Sequence, residues 1–201
     1  VSRIVFRLAR ETDAAQILDI YSYYIQNTPV TFETCVPSCE TFSCRIQDIA
    51  AEYPFIVLEK DMRIIGYAYA HRFHERAAYG WNAELSVYTD LSENGKGAGS
   101  ALYGALISLL KMQNIQNIYG IIGLPNDASM ALHHKYGFTQ IGQYHATGYK
   151  LDAWRDVAIM ENAIGDKACP PKDFIPITEI ADNVIMQILN SAKETYMKNL
   201  G

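Results

Sequence analysis

The stretch SVYTDLSENGKGAGSALYGALISLLKM, Ser86 to Met112, constrains this chain more than any other. An alternating strand pattern runs into Gly95, Gly97 and Gly99, and a helical pattern with Leu102, Leu106, Leu109 and Leu110 on one face follows at once. Glycine packs nothing and costs backbone entropy, so three on alternate positions mark a backbone that turns sharply or must come close to something. The spacing excludes two nucleotide cradles. A P-loop needs Ser or Thr after its Gly-Lys, and Lys96 is followed by Gly97. A dinucleotide fingerprint needs G-x-G-x-x-G, and Ser100 stands where the last glycine would be. What remains is G-x-G-x-G between a strand and a helix, whose free amides and helix dipole suit a pyrophosphate. A tight turn with no ligand is the competing reading.

Local geometry has to do this work, because the chain as a whole repels anions. Its formal net charge is -5, and the Lys and Arg residues form no run or stripe, which argues against nucleic acid as a partner. No stretch reaches the roughly 18 apolar residues of a membrane helix, and VSRIVFRLARETD has no signal-like apolar core, so a cytoplasmic address and no membrane partner are expected. Cys35, Cys39, Cys44 and Cys169 form no C-x-x-C pair, so small buried or loop thiols are expected and no metal site.

Periodicity along the chain predicts a mixed α/β fold. IVFRLA reads as a strand, and a helix with Ile17, Ile20, Tyr24 and Ile25 on one face follows, opened by an Asp13–Gln16 capping box. A second helix carries Phe42, Ile46 and Ile49 and stops before Pro54. FIVLEK and IIGYAYAH form a hairpin about Asp61-Met62-Arg63, and NAELSVYTD leads into the glycine loop. IQNIYGIIGL is a buried strand, Asn126 to Tyr136 a short helix, and FTQIGQY and DVAIMEN are closing strands. This order lacks the regular alternation of a doubly wound sheet. The main domain is expected over 1–166. Residues 167–201 read as a proline-rich linker and a docked helix, with Ile180, Val184, Ile188 and Ala192 on its apolar stripe.

Two elements together, AELSVYTD with its glycine loop and GLPNDASMALHHKYGF, resemble the GNAT N-acetyltransferase superfamily. TPVTFET, YPFIVLE, GYAYA, AAYGWNAELSVY, GSALY, IGLPNDAS and PITEI, in this order, are similar to its phosphinothricin and methionine sulfoximine N-acetyltransferase branch. The resemblance implies a mostly antiparallel twisted sheet with a splayed parallel pair, flanked by helices. It also implies transfer of acetyl from acetyl-CoA to the amine of a small amino-acid-like substrate, without a metal. Other amines, such as a peptide N-terminus or a polyamine, and a non-catalytic acyl-CoA sensor stay open as alternatives.

Acyl transfer from a thioester to a protonated amine needs a proton acceptor. Glu84 sits in an otherwise apolar and aromatic strand, sharing a face with Ser86 and Tyr88, where a carboxylate must meet a wet cleft or a partner. The resemblance makes it the general base; a structural ion pair is the alternative. By the same resemblance the backbone of Val87, Tyr88 and Thr89 runs beside the pantetheine, Gly95, Lys96, Gly97, Ala98, Gly99 and Ser100 hold the pyrophosphate, and Asn126 binds the amide portion. Seven residues after Asn126 comes His133, where the wider family has a tyrosine acid. Its imidazole is either a proton donor to the thiolate or a packing group. Arg76 falls where the branch places a substrate-binding arginine, with His74 where a lysine is common, and Phe32 either walls the pocket or packs in the core. A homodimer is expected, partly to cover the last helix.

Overall fold

FIVLEK and IIGYAYAH do pair, and the hairpin they make carries a larger sheet. The computed structural model describes residues 2–200. Among them the order is β1 (Ile4–Leu8), α1 (Ala14–Asn27), α2 (Cys39–Glu52), β2 (Phe55–Lys60), β3 (Arg63–Arg72), β4 (Asn82–Thr89), α3 (Ala98–Met112), β5 (Asn117–Gly123), α4 (Asp127–Lys135), β6 (Thr139–Lys150), β7 (Ala153–Ala163) and α5 (Asp182–Leu200). The strands form one sheet ordered β1-β2-β3-β4-β5-β7-β6, antiparallel at every step except the parallel β4–β5 pair. The turn between β2 and β3 is tighter than expected, because Asp61 and Met62 both take positive φ and Arg63 already pairs with Lys60.

Each sheet face has its own core. α1 and α2 cover one with Ile17, Ile20, Ile25, Phe42 and Ile46 against Phe55, Val57, Ile64 and Tyr67. α3 covers the other with Leu102, Leu106, Leu109 and Leu110, fully buried over Ile56, Leu58, Ala68 and Ile118. Burying one such side chain stabilises the fold by about 1.5–3 kcal/mol, so this leucine row anchors the helix that the glycine loop opens.

Three expectations change. The Asp13–Gln16 capping box does not form, because both side chains have stronger tertiary partners. The Asp13 carboxylate accepts from the Arg7 guanidinium at 2.7 and 2.9 Å and from the Arg10 amide at 2.8 Å, while Gln16 Oε1 accepts from the Ile64 amide at 2.9 Å. α5 is rotated from the stripe read in the sequence: Ile185, Leu189, Ala192 and Tyr196 are buried, and Val184 and Ile188 flank them. That face packs on α3 and β1 of the same chain, so it needs no partner subunit. The segment before it is stitched down as well, since Trp81 Nε1 donates to Lys172 O at 2.7 Å and Gln113 Nε2 to Ile175 O at 2.9 Å. All four cysteines are free and exposed, so none is a buried thiol.

Candidate active site

The site begins where the sheet stops pairing. β4 and β5 are in register only over Asn82, Ala83 and Glu84 against Asn117, Ile118 and Tyr119. Beyond them β4 stays with β3 as far as Thr89 and β5 stays with β7 as far as Gly123, so the two strands splay into a fork. A cleft of about 740 Å³ passes through it. Its walls are Leu85 to Thr89 on one side and Ile121 and Ile122 on the other, with Tyr24 and Val30 toward α1 and Asn126 and Ser129 toward α4. The Asp90 amide donates to Ile65 O at 2.9 Å, so by alternation the amides of Ser86 and Tyr88 also point to β3 and those of Val87 and Thr89 point into the fork. The Tyr88 ring leaves the cleft for the α1 core, stacking with Tyr67 at 5.3 Å and meeting Tyr24 edge-on at 5.2 Å.

The glycine loop closes one end of this cleft. Gly95 and Gly97 have φ of +76° and +85°, which other residues adopt only with strain. Gly97 caps α3, and its carbonyl receives the first helical hydrogen bond from Ala101, leaving the amides of Ala98, Gly99 and Ser100 without helical partners. A Cβ on Gly99 would project toward Val87 and Thr89, at 3.9 and 3.7 Å from their methyl groups, and so into the cleft. Lys96 is not among the residues lining the cleft; its ammonium stands 3.5 Å from Glu93 Oε1. The cation at the mouth is instead Lys135, whose Nζ donates to Ser100 Oγ at 2.7 Å. Nothing in the sequence around Lys135 signals this, because its partner is 35 residues away.

Asn126 caps α4 by accepting from the Ser129 amide at 3.1 Å. His133 is buried, and both its ring nitrogens are occupied. Nδ1 can only donate to the Ser129 carbonyl, at 2.8 Å, so Nε2 accepts from the Tyr103 hydroxyl, also at 2.8 Å. Burial lowers the imidazole pKa, and the Ser129 carbonyl offsets this only in part. The ring is therefore neutral at pH 7. It lies directly over Gly120, where a side chain would collide with it. Tyr136 donates to Ser100 O at 2.5 Å and ties α4 to the start of α3.

Glu84 stands at the last rung of the fork, on the α1 side, two residues along the same strand face as cleft-lining Ser86. Burial raises its carboxyl pKa, and His71 and His74 pull it back only in part. His71 Nε2 is 3.8 Å from Glu84 Oε1. His74 is exposed, with its ring 4.0 Å from Phe73 and 4.8 Å from Tyr79, and Phe73 in turn stacks on Tyr119 beside Glu84. Arg76 is exposed at the start of a 3-10 turn, and among the described residues no ion pair or hydrogen bond ties it to Glu84. Phe32 is not a core residue; it is 40% exposed and lies across Gly148 and Gly123.

A second polar group beside Glu84 has no local signature in the sequence. Tyr69 is the β3 residue opposite Ser86, in the field of Arg45, Glu84 and Glu33; burial dominates and raises its phenol pKa. Arg45 pairs with Glu33 at 2.6 Å, and Tyr21 donates to Glu33 at 3.1 Å while bonding Thr31 at 2.8 Å. Lys150 donates to Thr31 O at 2.6 Å from the far end of β6. The loop between α1 and α2 is thus pinned by residues from α1, α2 and β6.

An apolar channel ending in unpaired helix amides and one lysine fits a long thioester with an anionic end. Comparison with known proteins decides its family. The sequence profile of the acetyltransferase (GNAT) domain matches residues 6–159. The chain belongs to the GNAT acetyltransferases. It is 32% identical to a phosphinothricin N-acetyltransferase of Streptomyces viridochromogenes over 177 residues, 88% of this chain and 96% of that protein. It is 27% identical to an L-methionine sulfoximine/L-methionine sulfone acetyltransferase of Salmonella typhimurium, over 83% of this chain and 98% of the relative. Among solved structures, a GNAT phosphinothricin acetyltransferase from Sinorhizobium meliloti, crystallised with acetyl-CoA, superposes with a TM-score of 0.82 at 32% identity, over 87% and 97% of the two chains. As a GNAT acetyltransferase, the chain is an acetyl-CoA-dependent enzyme, and its splayed β4–β5 pair is the one expected from the resemblance.

Proposed function

We propose that this GNAT enzyme acetylates the amine of a small amino-acid-like substrate, such as phosphinothricin or methionine sulfoximine, with Glu84 as general base. The observation that carries the reading is the position of Glu84: a half-buried carboxyl with a raised pKa on the last paired rung of the fork, beside the cleft. A carboxylate whose pKa is raised toward neutrality accepts an amine proton more readily than one with the ordinary value.

Acetyl-CoA supplies an activated acetyl group as a thioester. The amides of Ala98, Gly99 and Ser100, with Lys135 beside them, would hold its anionic end, and Leu85, Val87, Ile121 and Ile122 would flank its arm. The Val87 and Thr89 amides would donate to the carbonyl oxygen as it gains charge. Glu84 takes one proton from the substrate ammonium, freeing the nitrogen lone pair for C–N bond formation as the C–S bond breaks. The second nitrogen proton, released as the amide forms, passes through water to the departing thiolate. His133 is a positioning residue in this scheme, since its neutral ring already donates to Ser129 and accepts from Tyr103. His74 and the Arg45–Glu33 pair would border the amine, with Arg76 and Phe32 at the rim.

Thiol release from acetyl-CoA, measured across a panel of phosphinothricin, methionine sulfoximine, a polyamine and a peptide, tests the reading. Turnover on the two amino-acid analogues at kcat/KM tenfold or more above the others is expected. Turnover only on the peptide or polyamine would sink the substrate assignment, and binding with no turnover on any amine would sink the enzyme mechanism. We also propose a homodimer, supported by the aromatic and apolar surface that β6, β7 and the turn between them expose at Ile141, Tyr144, Tyr149, Leu151 and Trp154. Equilibrium sedimentation should give twice the chain mass, and Trp154→Glu should halve it; a monomer at micromolar concentration would refute the dimer.

A further inference from the structure

Glu93 is an acidic side chain built into a loop that presents its amides to an anion. It is only 5% exposed, so its charge is not dissipated in water. Three groups engage it. The Tyr196 hydroxyl donates to Oε2 at 2.8 Å, and the Lys96 and Lys60 ammonium groups stand 3.5 and 3.7 Å from Oε1. Burial and the Glu93 carboxylate both push the Tyr196 phenol up, so it stays a donor.

Tyr196 comes from α5, which lies beyond the 6–159 span of the family profile. Its ring is fully buried, edge-on to Phe6 at 6.1 Å. One turn later the Asn199 side chain lies against Gly97 so closely that a Cβ there would stand 2.7 Å from its nitrogen. Two side chains from the last turns of α5 therefore hold both ends of the segment from Glu93 to Gly97. Covering α3 does not require either contact, because Ile185, Leu189 and Ala192 already do so.

We propose that α5 is a splint for the glycine loop, with Tyr196 and Asn199 as positioning residues that fix Glu93 and Gly97 so that the loop amides are preset for the diphosphate of coenzyme A. This rests on the reading of the loop as that cradle. A loop with two positive-φ glycines has many conformations to lose on binding, and fixing it beforehand moves that cost from binding to folding.

Two acetyl donors separate the splint from general damage: acetyl-CoA, which carries the diphosphate, and acetylpantetheine, which does not. In the full-length chain, Tyr196→Phe and Asn199→Ala should each raise the KM for acetyl-CoA three- to tenfold, and the pair together more than tenfold. Saturated kcat, the KM for the amine and kcat/KM with acetylpantetheine should stay within twofold. Asn199→Ala removes only a surface side chain, so it reports even if Tyr196→Phe melts early. Unchanged acetyl-CoA KM in the double variant, or equal losses with both donors, would overturn the splint. Equal kcat/KM for the two donors in the unmodified chain would instead overturn the cradle reading, and the splint with it.

Discussion

The two mouths of the fork are built from different materials. Toward α3 the groups at the cleft, apart from the Lys135 ammonium, are main-chain amides, from Val87, Thr89, Ala98, Gly99 and Ser100, arranged by strand pairing and a helix start. Toward α1, beside the cleft, the groups gathered around Glu84 are side chains, His71, Tyr69, Arg45 and Glu33, brought from β3, α2 and the loop before it. Every residue except proline has a backbone N–H, so the first mouth is exacting about backbone conformation and lenient about side-chain identity. The second is the reverse. A cofactor that never changes suits the first kind of construction, and a variable amine suits the second.

The largest expected effect lies on the side-chain mouth. Glu84→Gln should lower kcat by about 10²–10⁴, the range for removal of a general base. In the parent enzyme, kcat/KM should rise with pH across a limb displaced above the ordinary carboxylate range, and that limb should vanish in the variant. Stability should move the other way. The folded-state pKa of Glu84 is raised by burial, so ionising it costs stability as pH rises from the unfolded to the folded value. Glutamine carries no such cost, so the variant should melt no lower than the parent at pH 8. A lower melting temperature would make Glu84 a structural ion-pair residue instead.

Next comes the backbone mouth. Gly97→Val puts a branched side chain at φ +85° and against Asn199, a strain of about 1–3 kcal/mol, and the KM for acetyl-CoA should rise roughly ten- to a hundredfold with the amine KM unchanged. A shift in the amine KM as large as that for acetyl-CoA would break the division of labour. Arg45→Met is its counterpart. Losing the ion pair to Glu33 should cost about 1 kcal/mol of order in the loop and raise the amine KM roughly fivefold, with the acetyl-CoA KM constant. Smallest of all is Thr89→Val, which keeps the amide and changes only the side chain. Less than a twofold change in the KM for acetyl-CoA is expected, and a tenfold rise would show that side-chain identity matters there after all.

The same contrast explains what could be read from the sequence. The glycine loop, the strand before it and the Asn126 cap are local patterns, and each stands in the structure where the spacing put it. The alternation that set Glu84, Ser86 and Tyr88 on one face also held. The Arg45–Glu33–Tyr21–Tyr69 group was invisible because its members meet only after α2 folds back over β3. Asp13 and Gln16 formed a convincing local cap in the sequence and lost it to Arg7 and to the Ile64 amide, partners that only the sheet supplies. β6 was read as a seven-residue piece and extends to Lys150, because an edge strand exposed on nearly every residue leaves no apolar rhythm to follow. The stripe on α5 was misplaced by one position, since Val184 and Ile188 are as apolar as the Ile185 and Leu189 that are actually buried.

The fork has a spectroscopic consequence. Most amides of a seven-stranded sheet are protected from solvent exchange by their neighbours, but Val87 and Thr89 lie past the last β4–β5 rung, between two strands that are otherwise fully bonded. In the empty enzyme these two should exchange their hydrogens fast amid slow surroundings, and occupancy of the cleft should silence them. The gap in the sheet is thus its own built-in gauge of whether the enzyme is loaded.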